Sequence, residues 1–179
     1  MPRRPREEEA GAIHHVYARG IDRRALFVDD IDRRRYLALL EHVVAVKRWR
    51  CLSYCLMGNH IHLMVETPEP NLGRGMQVLH GDFARDINIR HGRSGHVFQG
   101  RFGSKVMRDD DHLWTTARYI LRNPVDAGLC KAAEEWRWSS HRGVLEESAP
   151  VWLDRPRFLE RFGTTGGDPD TVYRALIDG

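Results

Sequence analysis

The sequence predicts an α+β fold in which a four-stranded antiparallel sheet carries two helices on one face. Four segments alternate apolar residues with other types, as strands do: 12–18, 50–57, 60–66 and 97–107. Two longer stretches, 31–48 and 71–90, place apolar residues at helical spacing. A short turn at Gly58-Asn59 joins the second and third strands as a hairpin. The order β-α-β-β-α-β is that of the ferredoxin-like, or RRM-like, fold.

The first strand ends at Arg19-Gly20, and an acidic triplet precedes the first helix: Asp29, Asp30 and Asp32. Such a triplet could bind a metal. Acids at a helix start also accept hydrogen bonds from free N–H groups and suit the helix dipole. We therefore interpret the triplet as a cap.

The second half of the predicted sheet is more irregular. The helix at 71–90 carries a core stripe with spacings of three and four residues: Leu72, Met76, Leu79, Phe83 and Ile87. The segment 97–107 supplies the fourth strand, although Gly100 and Gly103 interrupt it. Glycine inside a strand indicates a bulge or a close backbone approach.

Composition describes one soluble globular domain. The chain has 179 residues, 41% hydrophobic and 30% charged, and a net charge of +3. No apolar run is long enough to span a membrane, and the charged N-terminus has no signal-peptide core. Three cysteines without zinc-ligand spacing argue against a disulfide framework, so we expect a cytoplasmic protein.

The third strand carries the first candidate site residues. Its side chains alternate between an apolar face that suits the core, with Ile61, Leu63 and Val65, and a second face with His60, His62, Met64 and Glu66. Two imidazoles one strand period apart can bind a single metal ion. A pair of surface histidines is the alternative. In this sequence the pair begins a strongly apolar strand, which favours the metal hypothesis.

A third helix follows Asp109, and we expect it to end before Pro124. Its apolar residues form one stripe, whereas Tyr119 lies on roughly the opposite side, together with Asn123 four residues later. A tyrosine that merely fills the core would lie in the stripe. The alternative is an exposed surface tyrosine.

An amide oxygen of Asn123 could complete a His-His-Asn metal shell. Because residues before proline avoid the α region, Asn123 would lie at a frayed helix end, and His112 or Glu66 could serve as the third ligand instead. A tyrosine beside such a cation has the geometry for nucleophilic phosphoryl transfer.

Taken together, these segments resemble the single-tyrosine HUH transposases, and more narrowly the REP-associated tyrosine transposases (RAYTs). The similarity covers nearly the whole chain and rests on the segments His15–Gly20, Phe27–Asp30, Met57–Glu66, Phe98–Phe102, Tyr119–Val125, Trp138–Ser140, Phe158–Gly163 and Val172–Arg174. The chain departs from the family pattern at two positions. Tyr17 stands in place of a polar residue, and Asp126 in place of a basic one.

The resemblance implies an enzyme that acts on single-stranded DNA carrying a hairpin. His60 and His62 would bind Mg²⁺ or Mn²⁺, with Asn123 as third ligand. Tyr119 would attack the DNA, leaving a 5′-phosphotyrosine and a free 3′-OH. Because the phosphotyrosine bond conserves energy, rejoining would need no nucleotide cofactor.

Basic residues spread along the chain are expected to contact the DNA phosphates: Arg3, Arg4, Arg6, Arg19, Arg101 and Lys105. We expect residues 1–145 to form the catalytic domain and 146–179 a C-terminal extension that packs onto it. Tryptophans 136, 138 and 152 favour packing of this tail onto the core over stacking on bases. A tail folded over the domain would cover a dimer surface, so we expect a monomer.

Two other functions fit the same fold. An open sheet of this kind can bind single strands without cutting them, although aromatic residues usually occupy the sheet in such modules. A metal-dependent nuclease could instead use activated water, with Tyr119 uninvolved. A covalent protein–DNA adduct distinguishes the three.

Overall fold

The computed structural model describes residues 8–179. The strands in this range are β1 (Ala12–Arg19), β2 (Arg50–Leu56), β3 (His60–Thr67) and β4 (Gly103–Val106). The α-helices in this range are α1 (Asp30–Lys47), α2 (Leu72–Arg90), α3 (Asp110–Asp126), α4 (His141–Leu145), α5 (Arg155–Glu160) and α6 (Pro169–Asp178).

The four strands form one antiparallel sheet in the order β2-β3-β1-β4. This arrangement confirms the predicted β-α-β-β-α-β fold. Residues that pair across strands share a face, so the register fixes which side chains meet. Tyr17 lies opposite His62 and Arg19 opposite His60. On the other side of β1, Lys105 lies opposite His15.

The fourth strand is shorter than predicted. It spans Gly103–Val106, whereas the sequence pattern predicts 97–107. Phe98 makes only an isolated bridge to Gly20, and Gly100 has φ 148°, outside the range of a regular strand. Residues 97–102 therefore form a loop beside the end of β1.

Helices α1 and α2 pack against each other and cover one face of the sheet. The contact between them includes an aromatic pair, since Tyr36 meets Phe83 edge to face with ring centroids 5.1 Å apart. Both side chains are fully buried, as are Ile61, Leu63 and Val65 beneath them. The predicted core face of β3 is confirmed.

Within the acidic triplet, Asp29 caps α1 as predicted, whereas Asp30 and Asp32 pair with arginines. Asp29 Oδ1 accepts hydrogen bonds from the backbone N–H groups of Ile31 (2.9 Å) and Asp32 (3.1 Å). Asp32 itself is fully buried, where its carboxylate accepts from the Val28 N–H at 2.8 Å and pairs with Arg90. Asp32 therefore fastens the start of α1 to the end of α2.

The expectation that α3 ends before Pro124 is wrong. Helix α3 continues to Asp126, with Ala127 N–H donating to the Asn123 carbonyl at 3.0 Å and Leu129 N–H to the Pro124 carbonyl at 2.9 Å. Proline lacks only its own N–H donor, so in the last turn its cost is one hydrogen bond. Asn123 therefore lies within a regular helix.

Helix α3 lies over β2 and β3 on the face of the sheet that carries the histidines. Among residues 8–179, the exposed side chains of that face include Tyr17, Arg19 and Lys105, which lie on β1 and β4. Helix α6 supports α3 from behind, because Arg122 Nη1 donates to the Ile177 carbonyl at 2.9 Å and Arg118 donates to the Leu176 carbonyl. These two arginines flank Tyr119 along the helix.

Residues C-terminal to α3 cover the outer edge of β2. Leu56 N–H donates to the Trp138 carbonyl (2.9 Å), and Asp154 N–H donates to the Cys51 carbonyl (2.8 Å). A sheet edge satisfied in this way is not available to pair with another chain. Among residues 8–179, no helix combines the length and apolarity required to cross a membrane.

Candidate active site

The candidate site is a cavity of about 910 Å³ between β1, β3, the 99–101 loop and the first half of α3. It brings together residues that lie far apart in sequence. The predicted site residues on its wall are His60, His62, Tyr119, Arg19, Arg101 and Lys105. Asn123 adjoins the cavity through its contact with His60. None of the lining residues that the structure describes is acidic, which suits an anionic ligand.

His60 is held between two amide side chains. Its Nε2 lies 3.0 Å from Asn123 Oδ1, and its Nδ1 lies 2.8 Å from Asn59 Oδ1. The Asn59 amide is itself oriented, because its Nδ2 donates to the Arg23 carbonyl at 3.2 Å. Asn59 Oδ1 therefore accepts a hydrogen bond from His60 Nδ1, which leaves Nε2 with the free electron pair on the Asn123 side.

His62 is held by a third histidine. Its Nδ1 lies 3.0 Å from His15 Nε2. The second nitrogen of His62, Nε2, is buried and has no hydrogen-bond partner among the described residues. Buried polar atoms without partners are rare and call for an explanation. A ligand bound at Nε2 would satisfy this atom.

Burial keeps these imidazoles neutral. It lowers the pKa of His62 to about 3 and that of His15 to about 4. It also lowers the pKa of His60, although the neighbouring Asn123 side chain acts in the opposite direction. Neutral imidazole is the form that binds metal ions, so all three rings are ligand-competent at neutral pH.

Tyr119 faces these histidines from α3. Its ring centroid lies 5.3 Å from that of His62 and 6.2 Å from that of His15. The side chain is nevertheless 49% exposed, on the open side of the cavity. Tyr119 and Asn123 project from the same side of α3, as their spacing of four residues requires.

Three cations surround the mouth of the cavity. Arg19, Arg101 and Lys105 are all exposed, and within residues 8–179 none of them makes an ion pair. The other proposed DNA contacts, Arg3, Arg4 and Arg6, lie outside the described residues.

The two alternative third ligands differ in position. Glu66 is 3% exposed and is occupied by Arg50 and by Arg157, whose Nε donates to it at 2.9 Å. It fastens the C-terminal extension to β3 and is not free to bind a metal. His112 lines the cavity at the start of α3.

The residues that orient the histidines, His15 and Asn59, were not among the site residues predicted from the sequence. His15 belongs to the first strand, but only the pairing of β1 with β3 places it against His62. From the sequence, Asn59 is predicted only as part of the turn between the second and third strands. A signal for His15 is present, because it alternates with Tyr17 and Arg19 on one strand face.

In residues 8–179 no group of three or more His, Cys, Asp or Glu side chains could hold a metal ion. Three histidines meet, but one of them is hydrogen-bonded to another, not directed at a shared centre. Of the three candidate third ligands, Asn123 is the one whose side-chain oxygen lies beside His60 Nε2, at 3.0 Å.

A ferredoxin-like sheet whose His-x-His strand faces a tyrosine on a following helix defines the class of single-tyrosine HUH transposases. Residues 10–123 match the family model described as "Transposase IS200 like". The chain belongs to this family. A Haemophilus influenzae protein described as a putative REP-associated tyrosine transposase is 30% identical over 139 residues, which cover 70% of this chain and 72% of the relative. Within the family, the chain belongs with the REP-associated tyrosine transposases.

A solved structure supports the fold. It is that of a REP-associated tyrosine transposase bound to a REP hairpin, and it superposes with a TM-score of 0.71. The match covers 84% of this chain and 90% of that chain, at 18% sequence identity. At this identity the similarity establishes the shared fold.

Proposed function

We propose that the protein nicks and rejoins single-stranded DNA beside a hairpin, through a covalent bond between Tyr119 and a 5′-phosphate. The observation that carries this proposal is the position of Tyr119, exposed in a cation-rich cavity with its ring 5.3 Å from that of His62. A hydroxyl nucleophile and positive charge around the phosphate are recurring parts of phosphoryl-transfer sites, and neutral imidazoles can bind a metal ion.

The residues present fit a divalent cation. The three donor atoms are His60 Nε2, His62 Nε2 and Asn123 Oδ1. His60 Nε2 and Asn123 Oδ1 lie 3.0 Å apart, so one cation could contact both atoms. His62 Nε2 is the buried atom that lacks a partner among the described residues. We propose Mg²⁺ or Mn²⁺, which when bound would offset charge that develops on the phosphate.

The side chains of the protein perform the transfer. The Tyr119 hydroxyl gives its proton to water as its oxygen attacks the phosphorus, forming one P–O bond while the bond from phosphorus to the 3′-oxygen breaks. That 3′-oxygen leaves as a hydroxyl after taking up a proton. Because one phosphoester is exchanged for another, a 3′-OH can reverse the step without a nucleotide cofactor.

Two further residues hold the histidines for this chemistry. Asn59 fixes the tautomer of His60, and His15 accepts a hydrogen bond from His62 Nδ1 so that His62 Nε2 stays unprotonated. Partners of this kind typically contribute about 10–100-fold to activity or metal affinity, and we expect a loss in that range for His15→Ala.

Cations at the mouth of the cavity are proposed to bind the phosphates of a hairpin and its unpaired flanks. The related protein of the same fold binds a REP hairpin, and the uncompensated charge of Arg19, Arg101 and Lys105 supports a similar partner here.

Replacing any one of Arg19, Arg101 or Lys105 by alanine should reduce the salt dependence of hairpin binding. Each phosphate contact contributes about 0.7–0.9 to the slope of log K against log salt, so each variant should lower the slope by about that amount. Replacing Arg3, Arg4 and Arg6 together should also lower it. Binding is measured by fluorescence anisotropy at several salt concentrations.

Arg142 provides the matched control. It is exposed on α4 and paired with Glu146 at 2.9 Å, away from the cavity. Arg142→Ala should leave the slope unchanged. Equal slopes in the control and all cavity variants would contradict the proposed phosphate contacts.

We also propose that the protein acts as a monomer. Support comes from the edge of β2, which is hydrogen-bonded to residues of its own chain, and from the meeting of Tyr119 with His62 within one chain. Light scattering at micromolar concentration should give a mass near 20.8 kDa. A mixture of Tyr119→Phe and His60→Ala proteins should stay inactive, and recovered activity would indicate a site shared between two chains.

A further inference from the structure

An aromatic ring that the proposed chemistry does not use lies in the same cavity. Tyr17 on β1 is 38% exposed, whereas its neighbours on this face, His15 and His62, are 8% and 5% exposed. Large aromatic side chains on a strand are normally covered. This one faces a cavity whose described lining residues include three cations and no acid.

Gly103 on β4 makes room for this ring. A Cβ atom at position 103 would lie 2.3 Å from Cε2 and Cζ of Tyr17 and 2.7 Å from its hydroxyl oxygen. The phenol end of Tyr17 therefore extends over the backbone of β4. A glycine within a strand is unfavourable unless another group approaches closely, and here Tyr17 is that group.

The direction of the ring separates Tyr17 from the nucleophile. Strand β4 lies on the opposite side of β1 from β3, which carries His60 and His62. The hydroxyl of Tyr17 therefore points away from these histidines. What Tyr17 offers to the cavity is ring surface, not an attacking oxygen.

Exposed rings among cations are the features by which proteins bind single-stranded nucleic acid. The cations follow the backbone, and unpaired bases stack on the rings at ~1–3 kcal/mol per base. Arg19 and Lys105 flank Tyr17 on β1 and β4, so a strand held by them would pass over the ring.

We propose that Tyr17 is a stacking platform for one unpaired base of the strand that enters the cavity, beside the phosphate that Tyr119 attacks. This inference rests on the proposed function and adds the subsite that places the strand. The ligand is an unpaired nucleotide, recognised by its aromatic face.

The test is a scan with abasic nucleotides. A hairpin oligonucleotide with unpaired flanks is made in versions that each lack one flanking base. Binding to the Tyr119→Phe protein is measured by anisotropy, so that cleavage does not consume the DNA. Loss of the stacked base should weaken binding by about 5- to 150-fold at one flank position. In Tyr17→Ala with Tyr119→Phe, removing that same base should have no further effect.

Three variants sharpen the result. Tyr17→Phe keeps the ring and should keep the effect at that position, whereas its loss would overturn stacking in favour of the hydroxyl. Gly103→Ala should displace the ring and remove the loss of affinity at the abasic position. Combined with Tyr17→Ala, it should cause no further change in affinity. Lys105→Ala should lower the salt slope but leave the abasic effect in place.

An abasic effect of equal size with and without the Tyr17 ring would overturn the proposal. This outcome is distinguishable from failure of the proposed function. The wild-type protein could form no covalent adduct and still show weaker binding at one abasic position in a way that requires Tyr17. That result would contradict the proposed cleavage by Tyr119 and support the proposed stacking on Tyr17.

Discussion

Replacing Tyr119 by phenylalanine is expected to abolish cleavage while leaving hairpin binding intact. The change removes the attacking oxygen and nothing else, and loss of a nucleophile typically costs about 10⁴-fold or more in rate. Tyr119 is 49% exposed, and among the described residues its hydroxyl makes no hydrogen bond, so the fold should not change. Cleavage is measured on a denaturing gel with end-labelled hairpin DNA.

Tyr17→Phe is the matched control, because it also removes one phenol oxygen from the same cavity. This variant should cleave at a rate close to wild type. If the Tyr119→Phe protein still cleaves and the Tyr17→Phe protein does not, the nucleophile is Tyr17 and not Tyr119.

The second large effect concerns the histidines of β3. His60→Ala and His62→Ala should each lower the cleavage rate by about 10²–10³-fold or more, because each removes a proposed ligand of the cation that would offset the developing charge. Chelation with EDTA should abolish DNA cleavage by the wild-type protein, and added Mg²⁺ or Mn²⁺ should restore cleavage. Isothermal titration with Mn²⁺ should show binding to wild type and its loss in both variants.

Asn123→Ala tests the third ligand. Residues 8–179 contain no cluster of three or more His, Cys, Asp or Glu side chains that could hold a metal ion. The amide oxygen of Asn123, 3.0 Å from His60 Nε2, is therefore the expected donor, and its loss should approach that of the histidine variants in effect. His112→Ala is the comparison, because His112 also lines the cavity. A mild effect of Asn123→Ala together with a severe effect of His112→Ala would indicate that His112 is the third ligand. Full cleavage activity in EDTA would show that the reaction does not use a metal.

Local patterns are sufficient to predict the first three strands of the sheet. Alternation in β3 correctly separates the core residues Ile61, Leu63 and Val65 from the histidine face, because the strand period depends only on backbone geometry. Helical spacing likewise places Tyr119 and Asn123 on one side of α3. These inferences need no knowledge of long-range contacts.

Contacts between segments that are distant in the sequence could not be predicted from local patterns. The hydrogen bond between His62 and His15 joins residues 47 positions apart, and the ion pair of Glu66 with Arg157 joins residues 91 positions apart. Neither follows from spacing along the chain. The prediction for Pro124 fails for a related reason: the local preference against α conformation before proline is weaker than the packing that holds the last turn of α3.

The covalent adduct is the most direct test of the proposed chemistry. Wild-type protein is incubated with Mg²⁺ and a hairpin oligonucleotide with unpaired flanks, digested, and examined by mass spectrometry. We expect the strand 3′ of the cut to be attached through its 5′-phosphate to the peptide containing Tyr119, and the other fragment to end in a free 3′-OH. Cleavage that leaves a free 5′-phosphate and no adduct would indicate attack by water. Hairpin binding without any cleavage would indicate a binding module, and either result would contradict nucleophilic attack by Tyr119.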